Sequence, residues 1–305
     1  MENIPSKLQV SIGIPAYNEE ANIKRLLESI IRQQEINFKL DKIFVISDGS
    51  DDNTVAQALS VNDPRINVID QKDRKGKAAR QNEIIDIVKE GYLIFLDGDI
   101  LLKNDDCLGK MLEPMMKNPK IGLISTKASP LPATSFLEKV LNFSLATKEK
   151  IFELINNSKN IYFSRGTARV FSPEFLKIFF WGAVKGGEDA YAYLACITNG
   201  FEFEYSKNAE IFFQSPRNLR DYFKQSTRFF ANRQYLEKVF GKDLVEKEFY
   251  LPKRTLFKVI FREFFNHPIL FVSYAMILIC SRILSIKSKS VATWSQATSS
   301  KILKK

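Results

Sequence analysis

The sequence predicts an α/β protein built on a doubly wound, mostly parallel sheet, followed by a C-terminal helical segment that contacts a membrane. Apolar strand-like runs alternate with helical patterns along the first third of the chain, which is typical of parallel sheets. The run from Tyr92 to Leu96 is apolar without interruption, as expected for a strand buried on both faces. With 305 residues, the chain can form one large domain and an appendage.

The first elements follow from local patterns. An alternating run that stops at Pro15 predicts the first strand, and apolar residues at helical spacing from Ile23 to Ile31 predict the first helix. The same reasoning predicts further strands at 42–47 and 65–70 and a helix at 78–89. Right-handed crossovers between these strands are expected.

The second half of the chain has a different character. Its patterns predict strands at 121–126 and 161–172, a long amphipathic helix from Phe136, a helix ending near Asn199, a strand pair at 201–205 and 210–214, and a helix at 218–240. The sequence shows no internal repeat, and the Ser/Thr/Lys-rich residues 291–305 are predicted to form a loose basic tail.

Composition narrows the classes of function. The net charge is +10, which suits nucleic acid, anionic lipid or a diphosphate ligand, but no zinc-finger, RNP or helix-turn-helix pattern supports nucleic acid. Three widely spaced cysteines fit a reducing compartment, and residues 1–10 lack the apolar core of a secretory signal. Since His267 is the sole histidine, acid–base chemistry must fall to carboxylates.

Residues 264–281 carry no formal charge, with histidine taken as neutral. This length just reaches that of a membrane span, and an aromatic, basic stretch from Lys253 leads into it. Lysines and arginines flank both sides of the run, so the sequence leaves spanning and in-plane orientations open. A buried core helix is the alternative, and membrane contact is the prediction.

Two carboxylates, Asp97 and Asp99, follow the buried strand directly and are separated by Gly98. Open α/β sheets bind ligands beyond the carboxyl ends of their strands. Two acids at that edge, with a glycine that allows close approach, suit a divalent cation that carries a phosphate. A solvated turn is the alternative, because Asp-Gly-Asp is also good turn chemistry.

Six motifs occur in one order along residues 8–235: Pro15-Ala16-Tyr17-Asn18-Glu19-Glu20, Asp48-Gly49-Ser50-Asp51-Asp52-Asn53-Thr54, Gly76-Lys77, Asp97-Gly98-Asp99, Gly187-Glu188-Asp189 and Gln225-Ser226-Thr227-Arg228-Phe229. Each is weak alone, but together they resemble the family-2 glycosyltransferases, which are inverting enzymes of the GT-A fold. The last motif differs from the family's Gln-x-x-Arg-Trp in having Phe229 where the family has tryptophan. The resemblance implies a nucleotide-diphospho-sugar donor and Mg²⁺ or Mn²⁺ as cofactor.

The resemblance also implies the donor site. Its nucleotide-sugar-binding residues are Pro15, Ala16, Tyr17, Glu19, Asp48, Lys77, Asp97, Gln225 and Arg228. Asp48 ends a predicted strand, where its carboxylate can accept hydrogen bonds from a pyrimidine or ribose. Lys77 begins a helix, a position that disfavours a cation unless an anion is near, although a solvated lysine is the alternative.

The family resemblance makes Asp99 the more direct metal ligand, with Asp97 beside it and nearer the ribose. Asp189 is the candidate general base, because an inverting transfer needs a carboxylate to remove the proton of the acceptor hydroxyl. Glu188 and Phe229 are expected on the acceptor side. For Gly187-Glu188-Asp189 the alternative is a plain helix start, and for Phe229 a core position.

These inferences predict a membrane-associated glycosyltransferase with a cytoplasmic catalytic domain and a UDP-sugar donor, which transfers single sugars to a lipid-linked or surface-glycan acceptor. The predicted domains are 1–240 (8–130 for the donor and 131–240 for the acceptor), membrane-associated helices at 241–290 and the tail at 291–305. The rivals are a sugar-phosphate nucleotidylyltransferase, whose glycine-rich arginine loop is missing from this sequence, and a catalytically silent nucleotide-sugar-binding adaptor at the membrane.

Overall fold

The computed structural model describes residues 7–182, 184, 187–223, 233–287, 301 and 303. Within this part of the chain, eight strands form one sheet. They are β1 (Leu8–Ala16), β2 (Phe38–Asp48), β3 (Ile66–Gln71), β4 (Tyr92–Leu96), β5 (Ile100–Leu102), β6 (Ile121–Pro130), β7 (Ala168–Phe171) and β8 (Glu202–Phe213). Their order across the sheet is β3-β2-β1-β4-β7-β6-β8-β5.

The helices are α1 (Ile23–Ile31), α2 (Thr54–Leu59), α3 (Lys77–Ile87), α4 (Cys107–Lys117), α5 (Phe136–Glu153), α6 (Pro173–Leu176), α7 (Glu188–Thr198), α8 (Arg233–Phe240), α9 (Lys242–Glu248), α10 (Lys253–Asn266) and α11 (Pro268–Lys287). Two single 3₁₀ turns lie at Asn156–Ser158 and Ile161–Phe163. Local signals define several boundaries. Helix α5, which connects β6 to β7, begins with a capping box in which Ser135 and Glu138 satisfy each other's backbone amides.

The α/β prediction is confirmed, and the sheet is mixed. Strands β3, β2, β1 and β4 are parallel neighbours, as the alternating pattern predicted. Strand β7 then pairs antiparallel with both β4 and β6, and the edge strand β5 pairs antiparallel with β8. The parallel half therefore forms the doubly wound unit, and the remaining strands extend it.

Apolar cores cover both faces of the sheet. One face packs on α1 and α4 through residues such as Leu26 and Leu112. The other face packs on α3, α6 and α7, and contains an aromatic cluster around Phe95, Phe171 and Trp181. With helices on both sides, β1 and β4 are buried throughout most of their length, which explains their uninterrupted apolar runs.

Two strand predictions were wrong. Residues 161–172 do not form one strand, because Asn160 caps a 3₁₀ turn at Ile161–Phe163 and the strand begins only at Ala168. The predicted strand pair at 201–205 and 210–214 is the single strand β8, which shifts register against β6 between Thr126 and Lys127. The first difference arises from a local cap, in which the Asn160 side chain accepts from the amide of Tyr162, and the second from the pairing of β8 with the distant strand β6; hydrophobic periodicity reports neither.

The C-terminal region is helical, as predicted, but its apolar run is split. Helix α10 ends at Asn266 and α11 begins at Pro268, so residues 264–281 belong to two helices. Among the described helices, none combines the length and the apolarity that crossing a membrane requires. Part of the predicted helix at 218–240 lies outside the described residues, and α8 forms its C-terminal end.

Candidate active site

The described residues of the predicted donor site meet at one edge of the sheet. Strands β1, β2 and β4 are parallel and end at Ala16, Asp48 and Leu96, so the segments that follow them lie side by side. This edge is where open α/β sheets bind ligands. The backbone amide of Asp97 donates to the carbonyl of Thr167 at 2.9 Å, which brings the segment before β7 to the same place.

Asp97 is paired with Lys77. The Lys77 ammonium donates to the Asp97 carboxylate and, at 3.3 Å, to the backbone carbonyl of Gly166. Burial alone would lower the pKa of Lys77, but the charges of Asp97 and Asp189 outweigh it and the pKa is raised. The helix dipole disfavours a cation at a helix start unless an anion lies nearby, and for Lys77 that anion is Asp97.

Asp99 lies beside Glu19 in a half-buried pocket. Burial, followed by the charge of Asp97, raises the pKa of Asp99. Burial and the charge of Asp99 raise the pKa of Glu19 to about 8. Gly98 makes this proximity feasible, since a Cβ at that position would lie 2.7 Å from Cγ of Glu19. Burial and mutual repulsion thus disfavour the ionised forms of these two carboxylates, and a cation bound beside them would stabilise their negative charges.

A residue from the predicted basic tail supplies one such cation. The ammonium of Lys301 donates to the Glu19 carboxylate and to the backbone carbonyls of Tyr17 at 2.5 Å and Asn18 at 3.1 Å. Its charge partly offsets the raised pKa values of Glu19 and Asp99. Leu303 is buried nearby, so the described residues of this segment lie against the protein.

Asp48 holds the loop before α3. Its two carboxylate oxygens accept hydrogen bonds from the backbone amides of Lys75 and Gly76, at 2.8 and 2.9 Å, and from Nε of the fully buried Arg80 at 2.8 Å. Arg80 also contacts Asp73 and Glu83. In the structure Asp48 therefore positions the basic turn, and the predicted contact with the nucleotide stays a prediction.

The loop after β1 is fastened to the loop after β2. Asn18, with a positive φ of 53°, exchanges hydrogen bonds with Asp51, and the amide of Glu19 donates to Oγ1 of Thr54 at 2.7 Å. The buried residues Pro15 and Ala16 bring the chain into this loop. Arg74 stacks over the ring of Tyr17 at 3.8 Å, so an aromatic face and a guanidinium border the pocket.

Asp189 lies in the first turn of α7 and reaches across to the same pocket. Its Oδ1 is 3.5 Å from the guanidinium of Arg169, which is fully buried on β7. The Asp189 carboxylate occupies the space beside Gly166, where a Cβ would lie only 2.0 Å from its Oδ1. The backbone carbonyl of Gly166 accepts a hydrogen bond from Lys77, and Lys77 is paired with Asp97. Gly166 and Lys77 therefore connect the predicted base, Asp189, to Asp97.

Glu188 and Arg169 complete this side of the pocket. Burial, with the charge of Asp189, raises the pKa of Glu188. Arg169 lies over the ring of Trp181 at 5.4 Å. Within the described residues, its Nε and Nη2 atoms are buried and donate no hydrogen bond. A buried guanidinium with spare donors next to the pocket holds positive charge and fixes the position of Asp189.

Most of the described candidates thus converge. Asp97, Asp99, Glu19 and Lys77 lie together, and Asp189 and Glu188 face them. Gln225, Arg228 and Phe229 lie outside the described residues, so their roles stay predictions. The sequence analysis missed four contributors: Gly166, Arg169, Arg80 and Lys301. Arg169 carried a signal, as the sole charge in a buried apolar strand, whereas the others depend on contacts across the fold.

The pocket suits a divalent cation that shares its coordination with a substrate. In the part of the chain that the structure describes, no three His, Cys, Asp or Glu side chains form a complete metal centre. The chain offers carboxylate oxygens from Asp99 and Asp97, and Mg²⁺ is commonly held by one or two carboxylates plus phosphate oxygens. The Lys301 ammonium against Glu19 is a built-in cation beside this position.

Comparison with known proteins identifies related chains. The sequence profile of Glycosyl transferase family 2 matches residues 11–180. The chain is 25% identical over 228 residues to poly-beta-1,6-N-acetyl-D-glucosamine synthase of Staphylococcus epidermidis, covering 72% of this chain and 53% of that protein. It is 33% identical over 110 residues to UDP-Glc:alpha-D-GlcNAc-diphosphoundecaprenol beta-1,3-glucosyltransferase WfgD of Escherichia coli, covering 36% and 42% of the two chains. The chain spans about half the length of the curated relatives it matches.

A solved structure shares the fold. The mannosyltransferase PcManGT from Pyrobaculum calidifontis, in complex with GDP-Man and Mn²⁺, superimposes with a TM-score of 0.58 at 17% identity, covering 94% of this chain and 77% of that chain. This likeness supports the predicted GT-A architecture of the mixed sheet.

Proposed function

The chain belongs to glycosyl transferase family 2, and on this premise we propose that it is an inverting glycosyltransferase that moves a sugar from a nucleotide-diphospho-sugar to a hydroxyl acceptor. One observation carries the proposal: Asp189 faces the Asp97–Asp99 pair across a single pocket, through Gly166 and Lys77. Displacement with inversion needs a base on one side of the sugar and a stabilised leaving group on the other.

The donor occupies the edge of β1, β2 and β4. Asp99, with Asp97, would hold Mg²⁺ or Mn²⁺, and this ion would neutralise charge on the departing diphosphate. Lys77 positions Asp97 through their ion pair. The stacked pair formed by Tyr17 and Arg74 would pack against the nucleobase of the donor. The mannosyltransferase with the same fold was solved with Mn²⁺ and GDP-Man, which supports a divalent cation with a nucleotide-sugar at such a site.

Asp189 acts as the general base. Its carboxylate accepts the proton of the acceptor hydroxyl while that oxygen attacks the anomeric carbon, and the bond to the diphosphate breaks on the opposite side. Arg169, whose guanidinium is 3.5 Å from Oδ1 of Asp189, holds the carboxylate in place at the start of α7. Glu188 lies beside the base on the acceptor side, where Phe229 is also proposed to contribute.

The donor is proposed to be a UDP-sugar, and the acceptor a lipid-linked saccharide or a growing surface glycan at the cytoplasmic face of a membrane. The name of the Escherichia coli relative, which joins UDP-Glc to a diphosphoundecaprenol acceptor, supports this choice. Residues 8–130 would bind the donor and 131–240 the acceptor.

Release of nucleoside diphosphate tests the proposal. The purified protein is incubated with a panel of UDP- and GDP-sugars, Mn²⁺ and a lipid extract, alongside Asp99→Asn, Asp189→Asn and the exposed control Asp41→Asn. We expect metal-dependent release from one donor, lowered about 100-fold or more by Asp99→Asn. Sugar transfer should fall about 10²–10⁴-fold in Asp189→Asn with donor binding retained. Donor binding with no release by the parent protein would contradict the proposal and favour a silent adaptor.

A further inference from the structure

Helices α10 and α11 expose one continuous apolar surface. Phe257 is 70% exposed, Phe265 63% and Ile269 72%. The surface, here called the aromatic face, consists of the exposed apolar side chains that recur at helical spacing along the two helices: Phe257, Ile260, Phe261, Phe264, Phe265, Ile269, Val272, Met276 and Ile279. Exposed apolar surface of this extent on a folded protein marks a contact site.

The aromatic face is ordered by its own packing. Phe257 and Phe261 are one helical turn apart with ring centroids 5.8 Å from each other, and the centroids of Phe261 and Phe265 are 4.7 Å apart. Phe264 meets Phe271 of α11 edge to face at 5.4 Å. The stacked rings therefore form one strip that runs from α10 onto α11.

The opposite side of both helices is attached to α5. On α10, Val259 and Glu263 are buried, and the Glu263 carboxylate is 2.9 Å from the ammonium of Lys150. On α11, Tyr274 lies 5.5 Å from the ammonium of Lys148. Since α5 covers this side, both helices lie along the surface of the molecule with the aromatic face turned outward.

A row of cations follows the aromatic row. Arg254, Lys258 and Arg262 are exposed at spacings of four residues, so they form a second strip along α10. Long basic side chains keep their charge at the polar headgroups while their stems lie along apolar surface. Aromatic and basic strips side by side on one helix are the features of helices that lie in the interface of anionic bilayers.

We infer that the aromatic face, with its basic row, docks this protein in the plane of an anionic lipid surface. Charge complementarity favours the bilayer over a second copy of the chain, because a second copy would bring its own basic row to a molecule that already carries a net charge of +10. This inference adds a membrane-docking surface to the proposed function. It rests on that function only in one respect, namely that the acceptor is located at the membrane.

Vesicle flotation tests the inference. The full chain is mixed with vesicles of equal parts phosphatidylglycerol and phosphatidylcholine, or of phosphatidylcholine alone. The variants are Phe261→Ser with Phe265→Ser, and Arg254→Gln with Lys258→Gln and Arg262→Gln. Matched controls remove exposed residues elsewhere: Ile36→Ser with Leu59→Ser, and Lys238→Gln with Lys242→Gln and Lys247→Gln. Circular dichroism and thermal melting confirm that each variant is folded.

We expect binding to anionic vesicles to exceed binding to neutral ones and to weaken with salt. The aromatic-face variant should bind at least tenfold less. The basic-row variant should bind about 100-fold less, at roughly fivefold for each of its three removed cations, whereas the controls stay within about twofold of the parent. Equal binding by parent and variants would overturn the inference. The inference would also be overturned if the protein did not bind vesicles and instead formed a dimer without lipid, and if the Phe261→Ser, Phe265→Ser variant lost that dimer.

Donor turnover separates the two proposals. Nucleoside diphosphate release is measured in solution for the same variants, none of which alters the pocket residues. Release that continues when vesicle binding is lost supports a docking role that is distinct from catalysis. Vesicle binding by a protein that turns over no donor would sustain the docking surface and refute the transferase instead.

Discussion

Two glycines shape the pocket because carboxylates occupy the space that a side chain would need. A Cβ on Gly98 would lie 2.7 Å from Cγ of Glu19, and a Cβ on Gly166 would lie 2.0 Å from Oδ1 of Asp189. The first glycine lets Glu19 approach the aspartate pair, and the second lets Asp189 reach the pocket. Glu19 and Asp189 can therefore occupy these positions because Gly98 and Gly166 have no side chains.

Gly166→Ala tests this dependence at a single residue. The new methyl group must displace the Asp189 carboxylate, so we expect kcat to fall about 100-fold while the protein remains folded. Steady-state kinetics of sugar transfer and a thermal melt measure the two effects.

Gly200→Ala is the matched control. Its Cβ would enter open space, but the φ of +81° is unfavourable for alanine, so about 1–2 kcal/mol of stability should be lost with kcat unchanged. A Gly166→Ala protein with the parent's kcat would mean that the carboxylate acts from another position, or does not act.

At the scale of elements, one side chain joins three strands at the edge of the sheet. Glu210 on β8 contacts Lys103, which follows β5, at 2.5 Å, and Ser129 and Lys127 of β6 at 2.5 and 3.4 Å. Burial alone would raise the pKa of Glu210, but these hydrogen bonds and charges outweigh it and hold the pKa at about 2. The carboxylate therefore stabilises the fold in its ionised form.

The Glu210→Gln variant tests how much the ionised Glu210 carboxylate stabilises the fold. Because the folded pKa is depressed from 4.5, the stabilisation is present above about pH 4.5 and is lost as the pH falls towards 2. We expect the variant to lose about 1–2 kcal/mol of unfolding free energy at neutral pH, because solvent screens the half-exposed partner lysines, and to lack this part of the acid dependence. Urea unfolding at neutral pH and at about pH 3 measures both quantities.

Glu113→Gln serves as the control, since Glu113 forms an exposed pair with Lys117 on α4 and should contribute less than about 1 kcal/mol. If Glu210→Gln kept the parent's acid dependence, the stabilisation would have to come from other carboxylates.

The sequence predicted some elements better than others for a physical reason. The parallel half of the sheet depends on local apolar runs and helical spacing, so β1, β4 and α1 lie close to their predicted positions. Strand β5 follows Asp99 directly but pairs with β8 at the opposite edge of the sheet, and no local pattern specifies that pairing. The 3₁₀ turn at Ile161–Phe163 depends on the side chain of Asn160.

At the scale of the whole molecule, the order of the motifs selected residues that the fold brings close together, which no single pattern did. Asp97, Asp99 and Asp189 were predicted from short motifs, and the fold brings them to one pocket. Arg80 and Lys301 were not, because Arg80 acts through Asp48, which is distant in sequence, and Lys301 is separated from Glu19 by most of the chain. Side chains that position other side chains are specified by tertiary packing.

One pocket is proposed to hold a metal-bound donor between the aspartate pair and Asp189. Co-crystals with Mn²⁺ and the donor found by the release assay, measured at a wavelength where manganese scatters anomalously, test it most directly. We predict a manganese peak within about 2.6 Å of an Asp99 oxygen and of the diphosphate, with Asp189 on the opposite side of the anomeric carbon. A peak away from Asp99, or a donor whose diphosphate lies on the same side as Asp189, would contradict the account.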